Sequence, residues 1–316
     1  MRRLTEILSA IGLLTLVLAP VSVAEAAPVT RTKTTTAVQP PYYAWMSTDV
    51  IAAWTAGYRG AGTTITVVDE YTGRDPFSGR FTNATQTQLH GYWTSEEAGL
   101  IAPSASIVRQ NYLSGTAVRL STTGLNVINT SYAMYARAGY SVNQIGWSAQ
   151  ESSIIADARN GKAIVVKAAG NDAVAVGTPV TSGTYRGYQD YLDSALIGAQ
   201  SAIFVGALNS NGTTTNKASL ASYSDKAGTN TAVQSHFLVV GVAGNQTGLY
   251  GTSFAAPIIS GYAAVLGSKF KSATATQITN QLLNTARTNT LLNYNAATYG
   301  RGEASLANAL APISIR

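Results

Sequence analysis

Six short runs constrain this chain more than anything else in it: TTITVVDE, ASIVRQNY, LNVINTSYA, AIVVKAAGND, SAIFVGALNSNG and HFLVVGVAG. Most are continuous stretches of valine, isoleucine, leucine and phenylalanine with no polar residue at every second position. Such a strand buries both of its faces, which is the signature of a parallel sheet covered on both sides. Helical patterns alternate with the runs. STDVIAAWTAGYRG reads as a capped helix ending near Gly57, and WSAQESSIIADARNGK as an amphipathic helix stopped by Asn160-Gly161. Two more helices are predicted, from 253 to about 269 and from about 275 to 286, and a last short one in GEASLANALAP. Strand–helix alternation predicts an α/β fold of three layers, a mostly parallel β-sheet with helices on both faces. Sheets of this kind gather ligands at the carboxyl ends of their strands.

The ends of the chain carry other information. MRRLTEILSAIGLLTLVLAPVSVAEAAPVT has a basic start at Arg2-Arg3, an apolar stretch over residues 7–18 and an Ala24-Glu25-Ala26 cleavage pattern. That is a secretory signal peptide over 1–26, too short in its apolar part to span a bilayer. Residues 27–43, rich in Thr and Pro, read as a flexible lead-in, and 44–313 as one domain. The chain has no cysteine, so an exported form has no disulfide and folds on its core alone. The formal charge is +6. Removing the signal takes away two Arg and two Glu, and the remaining basic residues are scattered, with no stripe for nucleic acid. The expectation is a secreted or periplasmic monomer acting on a polypeptide, with no nucleic-acid partner and no membrane insertion after signal cleavage.

Four polar residues stand where chemistry is expected. Asp69 and Asn171 each end an apolar strand, in ITVVDEYTG and VVKAAGND. His90 precedes a short helix in QLHGYWTSEEAG. Ser253, in GLYGTSFAAPIISGYAAVLG, stands at the cap or first turn of a helix that is apolar nearly all round. Taken singly, these read as a turn residue, a satisfied histidine, a turn cap and a capping serine. Together they supply a weak nucleophile, its base, a group to orient that base and an amide donor. His236, the only other histidine, lies in an apolar strand and reads as structural.

With these motifs the chain resembles the subtilisin-like serine peptidases over nearly all of 44–313. GTSFAAPIISGYAAVL is similar to the family's serine motif, ITVVDEYTG to its aspartate strand, and LHGYWTSE to a degraded form of its histidine helix. VVKAAGND is similar to the oxyanion segment and VINTSYA to the substrate-binding strand. The closing YGRGEASLANALAP most resembles the passenger proteases of autotransporters. The resemblance implies a subtilisin-like fold and a serine endopeptidase with an Asp69-His90-Ser253 triad, in the Asp, His, Ser order of subtilisin. It implies an oxyanion hole from the Asn171 side chain and the Ser253 main-chain N–H. It also implies a substrate-binding wall from Ser131, Tyr132, Ala133, Ala169 and Gly170.

Several features depart from the family. Only 11 residues run from His90 to Ile101, where a calcium-bearing loop often lies, so no metal and no cofactor is expected. Ala133 and Met134 follow Ser131 where the family has glycines, which narrows the primary pocket. No Asp or Glu occurs in the two wall segments, so the pocket is expected to take small or medium apolar side chains, not Lys or Arg. The lead-in is too short for the folding prodomain common in the family. Two alternatives stay open, a secreted pseudoprotease or binding module on the same fold and acyl transfer to an amine, while a lipase-type esterase is disfavoured by the missing second glycine after Ser253.

Overall fold

The computed structural model describes residues 39–315, so the expected signal peptide and most of the lead-in lie outside the described residues. The end of the expected lead-in is already packed: Gln39 Nε2 donates to Thr55 Oγ1 (3.1 Å) and the Tyr42 hydroxyl to Met46 O (2.8 Å). In chain order the strands are β1 (Thr63–Asp69), β2 (Phe77–Gly79), β3 (Gln86–Gln88), β4 (Ser106–Asn111) and β5 (Leu125–Thr130). After them come β6 (Tyr135–Arg137), β7 (Ile164–Ala168), β8 (Tyr188–Asp190), β9 (Ala202–Leu208) and β10 (Phe237–Gly241). Six of these make one sheet in the order β10-β9-β7-β5-β1-β4, with every pairing parallel. They are the six runs of the sequence. The pairs β2–β3 and β6–β8 are short antiparallel ribbons that the sequence pattern did not signal.

Burial follows the pattern of the runs. Every residue of β7, β9 and β10 is buried, while the polar run of β4 forms the exposed edge. Alternate residues of each strand feed two cores. Val67, Val127, Val166 and Val205 pack with helices His90–Ile101, Ala256–Lys269 and Ala275–Asn284 on one face. Ile128, Val165 and Phe204 pack with helices Ala149–Arg159 and Tyr191–Leu196 on the other. Helix Ala256–Lys269 is buried at every residue but Lys269, as an element apolar all round requires. This is the three-layer α/β arrangement expected from the sequence.

Two helix starts differ from the sequence expectation. His90 does not precede a short helix; it opens one of 12 residues, His90–Ile101. Ser253 does not cap the apolar helix; it sits in a 3-10 turn, Thr252–Phe254, and the helix itself begins at Ala256 with Pro257 in its first turn. Proline is tolerated there because the N–H it lacks has no intrahelical acceptor.

Candidate active site

Asp69 ends β1 and is 1 % exposed. Its Oδ1 accepts from His90 Nδ1 at 2.6 Å and from the Glu70 main-chain N–H at 2.7 Å, and its Oδ2 accepts the Thr94 hydroxyl at 2.8 Å. A buried carboxylate is thus satisfied on both oxygens and aimed at one imidazole nitrogen. The approach depends on Gly91, whose N–H donates to Glu70 O at 2.9 Å. A Cβ at residue 91 would meet that same oxygen at 2.6 Å, so only glycine lets the helix start close against the end of β1. Burial works against the His90 imidazolium, but the Asp69 hydrogen bond and the charges of Asp69 and Glu70 outweigh it, so the His90 pKa lies above the ordinary histidine value.

The turn carrying Ser253 is fastened from two sides. Gly251 enters it at φ +123°, a conformation that side chains rarely adopt. On one side the Ser131 hydroxyl donates to Ser253 O (3.0 Å) and receives Asn129 Nδ2 (3.0 Å), while Asn129 Oδ1 accepts the Ser260 hydroxyl (3.0 Å). On the other side Asn171 Oδ1 accepts both the Thr252 main-chain N–H (2.8 Å) and the Thr252 hydroxyl (3.1 Å). A main-chain N–H can only donate, so the oxygen of the Asn171 amide is fixed against Thr252 and its NH2 end faces away. The His90 and Phe254 rings lie 5.8 Å apart, which places the imidazole over the residue after Ser253. The Ser253 hydroxyl itself donates to Ser131 O at 3.2 Å. His236 is elsewhere, its Nδ1 bonded to Ala202 O at 2.8 Å.

The subtilase family model matches residues 62–302 of the chain. The chain belongs to the subtilase family. It is accordingly a serine-type endopeptidase, a subtilisin-like hydrolase. No curated protein matches it. Among solved structures it is similar to the MycP3 protease of the type VII (ESX-3) secretion system, at 21 % identity, covering 83 % of this chain and 86 % of that one, with a TM-score of 0.51. The prenylagaramide maturation protease PagA is similar at 18 % identity, covering 84 % and 98 %, TM-score 0.51. MycP1 from Mycobacterium smegmatis is similar at 19 %, covering 83 % and 82 %, TM-score 0.50. At these identities the likeness is one of fold.

In this subtilase a pocket of about 220 Å3 opens beside Ser253. Of the expected wall residues, Ser131, Tyr132, Ala133 and Gly170 line it. Ala169 does not: it packs into the opposite core with Val165 and Phe204, and its neighbour Ala168 lines the pocket instead. Ala169 is buried among those apolar side chains and so is not available to the pocket. Four lining residues went unnoticed in the sequence: Tyr135, Lys167, Asp172 and Tyr185. Asp172 and Lys167 flank the Ala-Ala-Gly-Asn motif and were legible; the two tyrosines arrive from separate segments. No helix among the described residues is long and apolar enough to cross a membrane. Among the described residues no three His, Cys, Asp or Glu side chains come together as a group that could hold a metal ion.

Proposed function

We propose that this subtilase hydrolyses peptide bonds through Ser253, His90 and Asp69, by way of an acyl-enzyme. The observation that carries the reading is the Asp69–His90 pair at 2.6 Å, placed against the turn that holds Ser253. Asp69 engages Nδ1, which leaves Nε2 as the nitrogen for the serine. In this reading the Ser253 hydroxyl leaves the Ser131 carbonyl for Nε2 when it reacts. His90 then takes the hydroxyl proton as the oxygen attacks the scissile carbonyl, and returns it to the leaving amine. Asp69 holds the tautomer and stabilises the imidazolium. The Ser253 main-chain N–H and the outward NH2 of Asn171 meet the developing oxyanion, where one donor contributes about 3–4 kcal/mol. Water then attacks the acyl-enzyme on the same route.

The secreted binding-module alternative draws on the Ser253 hydroxyl being engaged by Ser131 O. Against it stands the Asp69–His90 pair at 2.6 Å, for which a binding module has no use. The N-terminal 26 residues serve as a signal peptide in this reading, and the mature protein acts on polypeptides outside the cytoplasm as a monomer. Casein hydrolysis by the purified mature protein tests the reading. Activity that vanishes in both Ser253→Ala and His90→Ala is expected; hydrolysis that persists in either overturns it. N-terminal sequencing of the exported protein should begin at Ala27.

A further inference from the structure

The pocket beside Ser253 carries a charge pattern absent from its two sequence-predicted walls. Asp172 lines it, and its Oδ2 accepts the Tyr135 hydroxyl at 2.5 Å. The Tyr135 ring stacks on that of Tyr185 with centroids 4.2 Å apart. Tyr185 is 46 % exposed, so this aromatic pair forms a wall that reaches from the pocket to the solvent.

Lys167 also lines the pocket, and its charge needs to be weighed. It is 1 % exposed; its ammonium donates to Ala168 O (2.7 Å) and forms ion pairs with Asp190 Oδ2 (2.9 Å) and Asp193 Oδ1 (3.2 Å). Its charge is thus held by two buried carboxylates away from solvent. Two carboxylates stand against its single charge. Asp225 stands behind the Asn171 segment, its Oδ1 accepting the main-chain N–H of Asp172 and of Val174.

Burial, and then the charge of Asp190, pushes Asp193 well above the usual carboxylate range. Burial pushes Asp225 up to about 7 against its two N–H bonds. With both protonated, Lys167 and the four aspartates sum to one negative charge; with both ionised they sum to three. In neither state is the pocket positive, although the chain as a whole carries +6.

We propose that this pocket selects a cationic side chain, lysine or arginine, at the residue preceding the scissile bond. The proposal rests on the serine-peptidase reading of the site and names its substrate class. The aliphatic stem passes the small walls at Ala133, Ala168 and Gly170. The cationic head meets the Asp172 carboxylate, which has acceptor sites beyond the one Tyr135 uses, beside two tyrosine rings that attract a cation at their faces. An apolar side chain instead covers Asp172 and strips it of water without replacing its partners, and an acidic one is repelled. The apolar preference expected from the sequence counted charges only within the two wall segments. The site adds Asp172, two residues beyond Gly170, and sets Asp190 and Asp193 against the Lys167 ammonium.

Fluorogenic peptides that differ only at that residue test it. Lys and Arg peptides should show kcat/KM at least tenfold above the Leu peptide, with Glu lowest, and Asp172→Asn should reduce the Lys-to-Leu ratio about tenfold. A Leu or Phe peptide cleaved as well as Lys, or a ratio that Asp172→Asn does not move, overturns the proposal. Binding separates this from the peptidase reading. Calorimetry on the Ser253→Ala protein with product peptides ending in Lys or Leu reads the pocket without turnover. Tighter binding of the Lys peptide supports the pocket assignment even if the wild type cleaves nothing; equal binding overturns it whatever the turnover.

Discussion

Replacing Asn171 by alanine separates the chemical from the structural part of the site. The side chain has two ends with two tasks. Its NH2 is the outward donor, and losing one such donor in a transition state costs about 3–4 kcal/mol, a fall in kcat of roughly a hundredfold to a thousandfold. Its oxygen holds Thr252, which is 1 % exposed, through the main-chain N–H and the hydroxyl. Leaving that N–H without an acceptor costs about 1–3 kcal/mol of stability. A domain with roughly 5–15 kcal/mol in hand still folds after that loss. The variant should therefore melt several degrees lower, yet be folded at 25 °C with kcat down a hundredfold or more and KM little changed. Thr252→Val makes the comparison sharper. It keeps the NH2 group and the N–H bond but removes the hydroxyl bond to Asn171 and the acceptor of the Gly170 N–H at 3.1 Å, so a loss of about tenfold is expected. Steady-state kinetics on one peptide substrate, with thermal melts alongside, read both effects. An Asn171→Ala enzyme whose kcat falls less than threefold, or whose loss is all in KM, refutes the oxyanion role.

Three further outcomes follow from the geometry. His90 must be neutral to act as a base, and its pKa is raised, net, by the Asp69 hydrogen bond and the nearby charges, so the acid limb of kcat/KM should lie above the ordinary histidine value of about 6.5; a limb below it contradicts the pairing. Asp225 binds a proton in the folded state up to about pH 7 and releases it near 4 when unfolded, so its contribution to stability falls as pH rises from about 4 to 7. Asp225→Asn should therefore gain in melting temperature relative to wild type at pH 8 compared with pH 5, and equal differences at the two values would count against a raised pKa. Gly91→Ala, with its Cβ 2.6 Å from Glu70 O, should lower both the melting point and kcat by displacing His90 from Asp69; wild-type values for both would show that the close approach is not needed.

Much of the architecture was legible because it rests on local pattern. The six sheet strands are continuous apolar runs, and Asp69 and Asn171 fall at or just beyond strand ends, where a parallel sheet places its site. The extent of the histidine helix was less legible. It has no side-chain cap at Leu89 and carries little apolar periodicity in HGYWTSEEAGLI, since it is held by packing against β1, β4 and helix Ala256–Lys269. Ser253 looked like a cap because a 3-10 turn and a helical first turn share their residues; the bonds to Ser131 and Asn171 that distinguish them come from 122 and 81 residues away. The pocket was the least legible part. Tyr135 and Tyr185 meet only once β6 and β8 pair, and three-residue strands leave no periodic trace.

Phosphonylation by a fluorophosphonate, followed by intact-mass analysis and peptide mapping of the adduct, tests the central claim most directly. One adduct per chain, located on Ser253 and lost in Ser253→Ala, with labelling slowed by orders of magnitude in His90→Ala, is the predicted result. Stoichiometric labelling of another residue, or undiminished labelling of Ser253→Ala, would contradict the account.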